Sequence, residues 1–451
     1  MAGVHPCPLH WNLPLHAQGT GGRLCPFAVQ LRLYIAALCV CLFFPAGIFA
    51  QQPYTWAQIK DKFQTSNPTV RAGQDNIAES KAMEITAYLR PNPDFTLATD
   101  GTQLTQFHGQ YRPFAGTQYG PSISYLHERE NKRELRLDSA KQGTQIASSQ
   151  QEDMIRTMLF TLRTAFVSAL QAKAVRDVAK ENLDSYDKVL AIGRDRLQAG
   201  DISQVDMMRL DLQRVQFESD LQTAEVNVRT AKIQLLQLLN DRTPLERFDI
   251  TGPFDFSESL APLDEIRRSA LAARPDLRAA VQAVEKAKTD HDLAVANGST
   301  DPTFSVDVTH NPSFNNPLDN NTIGASISIP LRLFDRNQGE KERTQIDIRR
   351  NERLREAAVA QVYSDVDSAY ATLASTVVLL RPYKAKYLEE AVKVRDTITF
   401  AYQHGGASLL DFISAENDYR SLRLGYLNLV GSYLNAAGQL NLAVGREVIT
   451  Q

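Results

Sequence analysis

Two apolar seams, not one, run along residues 205–238. Steps of three and four residues from Met207 pass through Leu210, Arg214, Phe217, Leu221, Ala224, Val228, Ala231, Leu235 and Leu238, nearly all apolar. A second series starts two residues earlier with Val205, Met208, Leu212 and Val215, and resumes at Val226, Ile233 and Leu236. A two-residue shift is roughly 200° around an α-helix, so the seams lie on opposite faces. A helix with two opposed seams has a neighbour on each side. A closed cylinder of helices needs this, whereas a two-stranded coiled coil needs one seam. From Phe412 the first seam recurs through Ala415, Tyr419, Leu422, Tyr426, Leu429, Tyr433, Ala436, Leu440 and Ala443, without a polar break. The competing reading is an ordinary bundle with a wide core face.

The helices feeding these arms are long. From about Asp138 to Ala199 there is no proline and hardly any glycine, and Gly339 to His404 is interrupted only by Pro382. Each spans on the order of 90 Å at 1.5 Å per residue, longer than a compact domain is wide. Between the helical stretches the period changes to two. Phe304–Thr309 and Ile323–Ile329 alternate apolar with polar, and Phe95–Thr99 and Ser122–Tyr125 are weaker versions. The Asn- and Pro-rich residues 309–321 read as an exposed turn. Strict alternation suits a wall with lipid on one side and water on the other, or a soluble hairpin lying on a helical body. In lipid a sheet must leave no open edge, and four strands are too few to close a barrel. Three copies supply twelve, enough for a barrel with an aqueous lumen.

The pattern occurs twice, about 205 positions apart. Gln198, Gly200, Ser203 and Asp206 match Gln403, Gly405, Ser408 and Asp411. Pro68, Arg71 and Ala72 match Pro275, Arg278 and Ala279, and Gly120–Ser124 matches Gly324–Ser328. Tandem copies of one unit, residues 51–250 and 251–451, are therefore expected, each with a helix, two strands and a long helical hairpin.

Composition narrows the function. Lys+Arg 49 against Asp+Glu 52 gives a net charge of −3, without a basic field for nucleic acid. All four cysteines (Cys7, Cys25, Cys39, Cys41) precede residue 42, so the remainder offers no thiolate metal site, disulfide or Cys nucleophile. The basic and apolar run from Leu31, ending in small residues at Ala50, reads as a secretory signal within residues 1–50; a membrane anchor is the alternative, but the run is short for a span. The His- and Pro-rich residues 1–28 suggest a start codon assigned too early. Beyond Ala50, His108, His127, His291, His310 and His404 are scattered without ligand spacing. No phosphate-cradling loop or nucleophile elbow is present. No catalytic residue, cofactor or resident metal is expected.

Ala273–Ala280, the strand ending Ile327–Pro330 before Leu333–Gly339, and the duplicated Gly-x-x-Ser-x-x-Asp tips resemble the TolC-like outer-membrane efflux family. Phe334–Gly339 is most similar to the branch serving cobalt-zinc-cadmium export. The resemblance covers roughly residues 54–446. It implies a homotrimer in the outer membrane, with a twelve-stranded β-barrel continued by a periplasmic α-barrel. It also implies a periplasmic adaptor and an RND-type or ABC-type inner-membrane pump. By motif position, Tyr402 and Asp411 match residues of the periplasmic constriction. Ser414 and Ala407 stand where a second acidic and a basic residue occur, so this constriction carries less charge. Gly200, Ser203, Gly405 and Ser408 are expected at adaptor-docking tips. For each there is a plainer role: the glycines end helices, and Asp206 and Asp411 sit where Asp suits a helix start. The chain is thus expected to be a passive exit duct, with heavy-metal cations among its candidate cargoes. The alternative is a soluble periplasmic coiled-coil adaptor or scaffold.

Overall fold

A computed structural model describes residues 52–106, 108–114, 116–311 and 320–449, which lie in one unit, Gln52–Gln451. The expected signal segment and most of the 309–321 turn fall outside the described residues.

The chain begins with α1 (Trp56–Ser66) and α2 (Pro68–Tyr88), followed by β1 (Asp94–Asp100) and β2 (Gln118–Leu126). Next come the long α3 (Lys132–Ala199) and its return partner α4 (Gln204–Leu238). The order then recurs: α5 (Leu263–Ala273), α6 (Pro275–Ala296), β3 (Thr303–His310), β4 (Asn321–Ser328), an outgoing helix and its return. Here the outgoing helix is in two pieces. α7 (Gln338–Pro382) passes through a π-helical turn (Tyr383–Tyr387) into α8 (Leu388–Gln403), which is followed by α9 (Leu409–Val444). Pro382 has no N–H to donate within the helix, and the wider turn after it absorbs that defect without ending the helix. α3, with no proline, runs unbroken for 68 residues, about 100 Å.

Helix starts follow local chemistry. Before Pro68, the Asn67 side chain accepts from the backbone N–H of Thr69 and Val70. Before Pro275 the same place is taken by Arg274. Its guanidinium is almost wholly buried, forks onto Asp276, bonds Asp365 at 2.7 Å and reaches the Ala443 carbonyl. The two junctions therefore cap differently, one with an amide and the other with an ion-pair network.

The strands form one antiparallel sheet of order β1-β2-β3-β4, so the unit has two bare sheet edges, at β1 and β4. Strand ends differ from the alternating segments by one to four residues; the shortest estimate, Ser122–Tyr125, lies in β2, where Pro121 breaks the alternation. A Cβ at Gly120 would overlap the Val308 carbonyl oxygen, and the β2–β3 register has no pair at Gly120 or Pro121, so the strands come this close there only with glycine. Register aligns Phe95 with Ile123, Ile123 with Val306 and Val306 with Ala325 on one face. Ser122 opposite Asp307 and Ser305 opposite Ser326 lie on the other. No strand residue is buried, and the apolar face carries side chains from Val308 (44% exposed) to Ile323 (80% exposed).

The helices line up in the same left-to-right order as the strands. Near the sheet, α2 packs on α3, α3 on α6 and α6 on α7. Towards the hairpin tips, α4 packs on α3, α3 on α9, and α9 on α7 and α8. Three apolar cores hold this layer. One gathers Phe63, Phe166, Leu235 and Phe248; a second gathers Ile266, Val366, Leu373 and Leu440; the third lies at the tips. Of the two seams on α4, the first packs inward, with Leu210 and Leu235 fully buried. The second, from Val205 to Ile233, stands exposed (Leu212 72%), except that Leu236 is buried. Arg214, the polar break in the inner seam, pairs with Asp187 at 2.7 Å.

Candidate functional site

Both hairpins turn at a glycine in the left-handed region, Gly200 (φ 81°) and Gly405 (φ 79°), conformations that L side chains adopt only with strain. No atom lies within 4 Å of a Cβ built at either position, so each turn is conformationally demanding but sterically open. Ser203 and Ser408 then start the return helices. The Ser203 hydroxyl accepts from the Asp206 N–H and donates to its carboxylate. Ser408 does the same with Asp411, and the Asp411 carboxylate also accepts from the Ser408 N–H at 3.1 Å, completing a reciprocal box. These bonds hold the Asp411 carboxyl below its ordinary range, the Ser408 hydroxyl contributing most. Asp411 is exposed, and its charge reinforces the start of α9.

Tyr402 sits elsewhere. It is buried in the tip core, its ring stacked on Phe412 at 5.0 Å with planes 16° apart. Phe412 faces Tyr186 at 6.2 Å, and Tyr186 faces Phe217 at 4.8 Å. The ladder takes one aromatic residue from each of α8, α9, α3 and α4, and so ties the two hairpins together. Arg196, in the last turn of α3, closes its end. Its guanidinium lies 5.2 Å from the Tyr402 ring centroid, and its Nη1 donates to the Tyr402 carbonyl at 2.7 Å. Burial pushes the Tyr402 phenol up, with Arg196 opposing it. Among the described residues the Tyr402 hydroxyl has no hydrogen-bond partner.

Tyr402 and Asp411 are therefore close in sequence but do different work within one chain: Tyr402 belongs to an aromatic core and Asp411 to a surface cap. Arg196 and Tyr186 were not singled out by sequence. Arg196 lies two residues before Gln198, where the duplicated tip begins, so a cation in that last turn was the available signal. Further up, Arg420 pairs with Asp220 at 2.5 Å, adding a polar link between α9 and α4.

Where α7 gives way to α8, the linker after α4 clips the chain. Lys384 donates to Asp255 at 2.7 Å and Arg381 to Glu258 at 3.0 Å, while the Tyr383 ring stacks against Tyr426. Among the described residues no group of three or more His, Cys, Asp or Glu is placed to hold a metal ion, and no helix is long and apolar enough to cross a membrane.

A helical layer over an open amphipathic sheet, in tandem order, is a fold shared with solved outer-membrane channels. The chain superimposes on the solved structure of CusC with a TM-score of 0.72 at 16% identity, covering 87% of this chain and 92% of that one. VceC from Vibrio cholerae gives 0.70 at 14%, over 87% and 96%, and the open-state MtrE channel from Neisseria gonorrhoeae 0.69 at 16%, over 87% and 89%. Residues 266–446 match the family described as outer membrane efflux protein. Similar relatives are the cobalt-zinc-cadmium resistance protein CzcC of Cupriavidus metallidurans, 23% identical over 70% of this chain and 74% of its own length, and the pyoverdine export outer membrane protein OpmQ of Pseudomonas aeruginosa, 22% identical over 76% and 72%.

Proposed function

We propose that this chain is the outer-membrane channel subunit of a tripartite efflux system, three copies forming a passive exit duct from the periplasm. The observation that carries the reading is the sheet: four strands, two bare edges, and one face of exposed Phe, Ile, Val and Leu. Bare edges and an apolar face are costly in water, and in lipid they require closure with other strands. The exposed seam on α4 and the exposed Val394 and Phe400 of α8 offer matching edges in the helical layer. A soluble scaffold would have no use for the apolar sheet face.

In this reading the helical layer is periplasmic, and the tips at Gly200, Ser203, Gly405 and Ser408 dock a periplasmic adaptor, which couples the duct to an inner-membrane pump. Tyr402 and Asp411 belong to the constriction, Tyr402 by fixing the position of α8 through the aromatic ladder and Asp411 by placing a carboxylate at the entrance. Arg196 supplies from the other hairpin a cation that Ala407 does not. Similarity to a protein named for cobalt, zinc and cadmium resistance supports heavy-metal cations as cargo. The native mass of the detergent-extracted particle tests the assembly. Three chains, after allowance for detergent, are expected; a monomer that stays in solution without detergent would overturn it. Metal sensitivity of a deletion strain then tests the cargo.

A further inference from the structure

A cleft of about 410 Å³ opens between the two repeats, walled by α1 and α3 on one side and by α9 and the residues after it on the other. That volume is within the range of sites that take small organic ligands, about 300–1,000 Å³. Its floor is apolar, made of Leu159 and Phe160 of α3 with Trp56 of α1. Gly438, inside α9, keeps the floor open. A Cβ there would meet Phe160 and Arg163 at 3.7 Å, an ordinary contact, so the packing of the subunit does not itself demand glycine. Charge around the cleft is uneven. Arg278 donates to Glu152, and Arg156 donates to Asp153 and to the Leu442 carbonyl. The lining otherwise carries Lys60, Arg163 and Arg446 against Glu447 alone, and Lys60 reaches Glu447 only at 3.5 Å. Arg163 lies against the aromatic wall, its guanidinium 4.6 Å from the Trp56 ring centroid and 5.7 Å from that of Phe166. Burial pushes its pKa down, with Glu447 opposing. A cation desolvated in this way is stabilised by an anion placed beside it.

We propose that this cleft is a binding site for a small organic anion with an apolar body, an aryl or short alkyl carboxylate, its charge against Arg163 and Lys60 and its body on Trp56 and Phe160. The two halves of the lining select the two halves of such a molecule. An inorganic anion would leave the aromatic floor wet, and a neutral apolar molecule would leave Arg163 as desolvated as before. A metal cation would meet an excess of positive charge. Because α1 and α3 belong to the first repeat and α9 to the second, the bound anion bridges the repeats and stabilises their junction. The inference does not depend on the duct reading, since the cleft is complete within one subunit.

The sequence has two tryptophans, Trp11 and Trp56, so in the full detergent-extracted chain carrying Trp11→Phe the fluorescence of Trp56 reports on the cleft. The protein is titrated with phenylbutyrate, phenylbutyramide and phenylbutylamine, which share one body and differ in charge. A saturable change is expected with phenylbutyrate, at a Kd at least about tenfold below that of the amide, and the amine should bind more weakly still. Phenylbutyrate should also raise the melting temperature. Arg163→Met should erase the preference for acid over amide, and Gly438→Leu, which fills the floor, should abolish the fluorescence change. If Arg163→Met does not fold, Lys60→Met carries the same comparison and should reduce the preference. No saturable change, equal affinity for all three compounds, or a response that survives in folded Gly438→Leu overturns the inference, the last two marking partition into detergent or binding elsewhere.

Discussion

The Tyr402 hydroxyl is buried with no partner among the described residues, and an unsatisfied buried hydroxyl costs about 1–3 kcal/mol. Tyr402→Phe should therefore leave the melting temperature unchanged or raised in the isolated subunit. If the assembled particle loses stability instead, the hydroxyl is satisfied by a neighbouring copy. Asp276 makes a second case. Burial pushes its carboxyl up, but hydrogen bonding to Arg274, aided by the charges of Arg274 and Arg156, outweighs this and leaves it below the ordinary range. A carboxyl with a depressed folded pKa stabilises the fold above its unfolded value of about 4, and that stability is lost as pH falls through the folded value. Thermal unfolding followed from pH 7 down to pH 3 should thus show a steeper acid limb in the native chain than in Asp276→Asn. At the tip, Gly405→Val forces a β-branched residue to positive φ at a cost of about 1–2 kcal/mol, although no atom blocks the side chain. Loss of adaptor capture beyond what Gly405→Ala produces, with equal trimer yield, would mark the tip as a docking surface.

The two seams of α4 predict opposite results from substitutions only a few residues apart. Phe217→Ala empties a buried place in the aromatic ladder and should cost about 3–5 kcal/mol in subunit stability, read by denaturant unfolding. Leu212→Glu, on the exposed seam, should leave the subunit folded and reduce the native mass from three chains to one. A stable trimer of Leu212→Glu would mean that α4 faces water. These seams were legible because helical packing repeats every three to four residues; only Leu236, near the end of α4, fell on the wrong side. The strict alternation of Phe304–Thr309 placed β3 equally well. What joins the hairpins was not legible. Tyr186, Phe217, Tyr402 and Phe412 lie up to 226 positions apart in the sequence, and no local period relates them. Nor does a lone Pro382 distinguish a helix that stops from one that widens for a turn and continues. Here the packing of Tyr383 on Tyr426 and the Lys384–Asp255 and Arg381–Glu258 pairs accompany continuation.

At the scale of the whole molecule, strands and helices present the same order and the same free sides: β1, α2 and α4 at one edge, β4, α7 and α8 at the other. In the duct proposed above, the two edges of such a unit differ, so copies would join head to tail and close when the rotation between them permits. The bare edges of the sheet have a consequence for biogenesis. A lone subunit cannot rest in the bilayer, because its outer strands would carry unsatisfied amides into hydrocarbon. For the proposed duct, insertion and association would then be one event, with a rate expected to climb steeply as subunits accumulate. A subunit carrying a proline on the outer edge of β4 would join the nascent ring and prevent its closure. Co-expressed with the wild type, it should act as a dominant poison, lowering the yield of intact channels more than its own share of the pool.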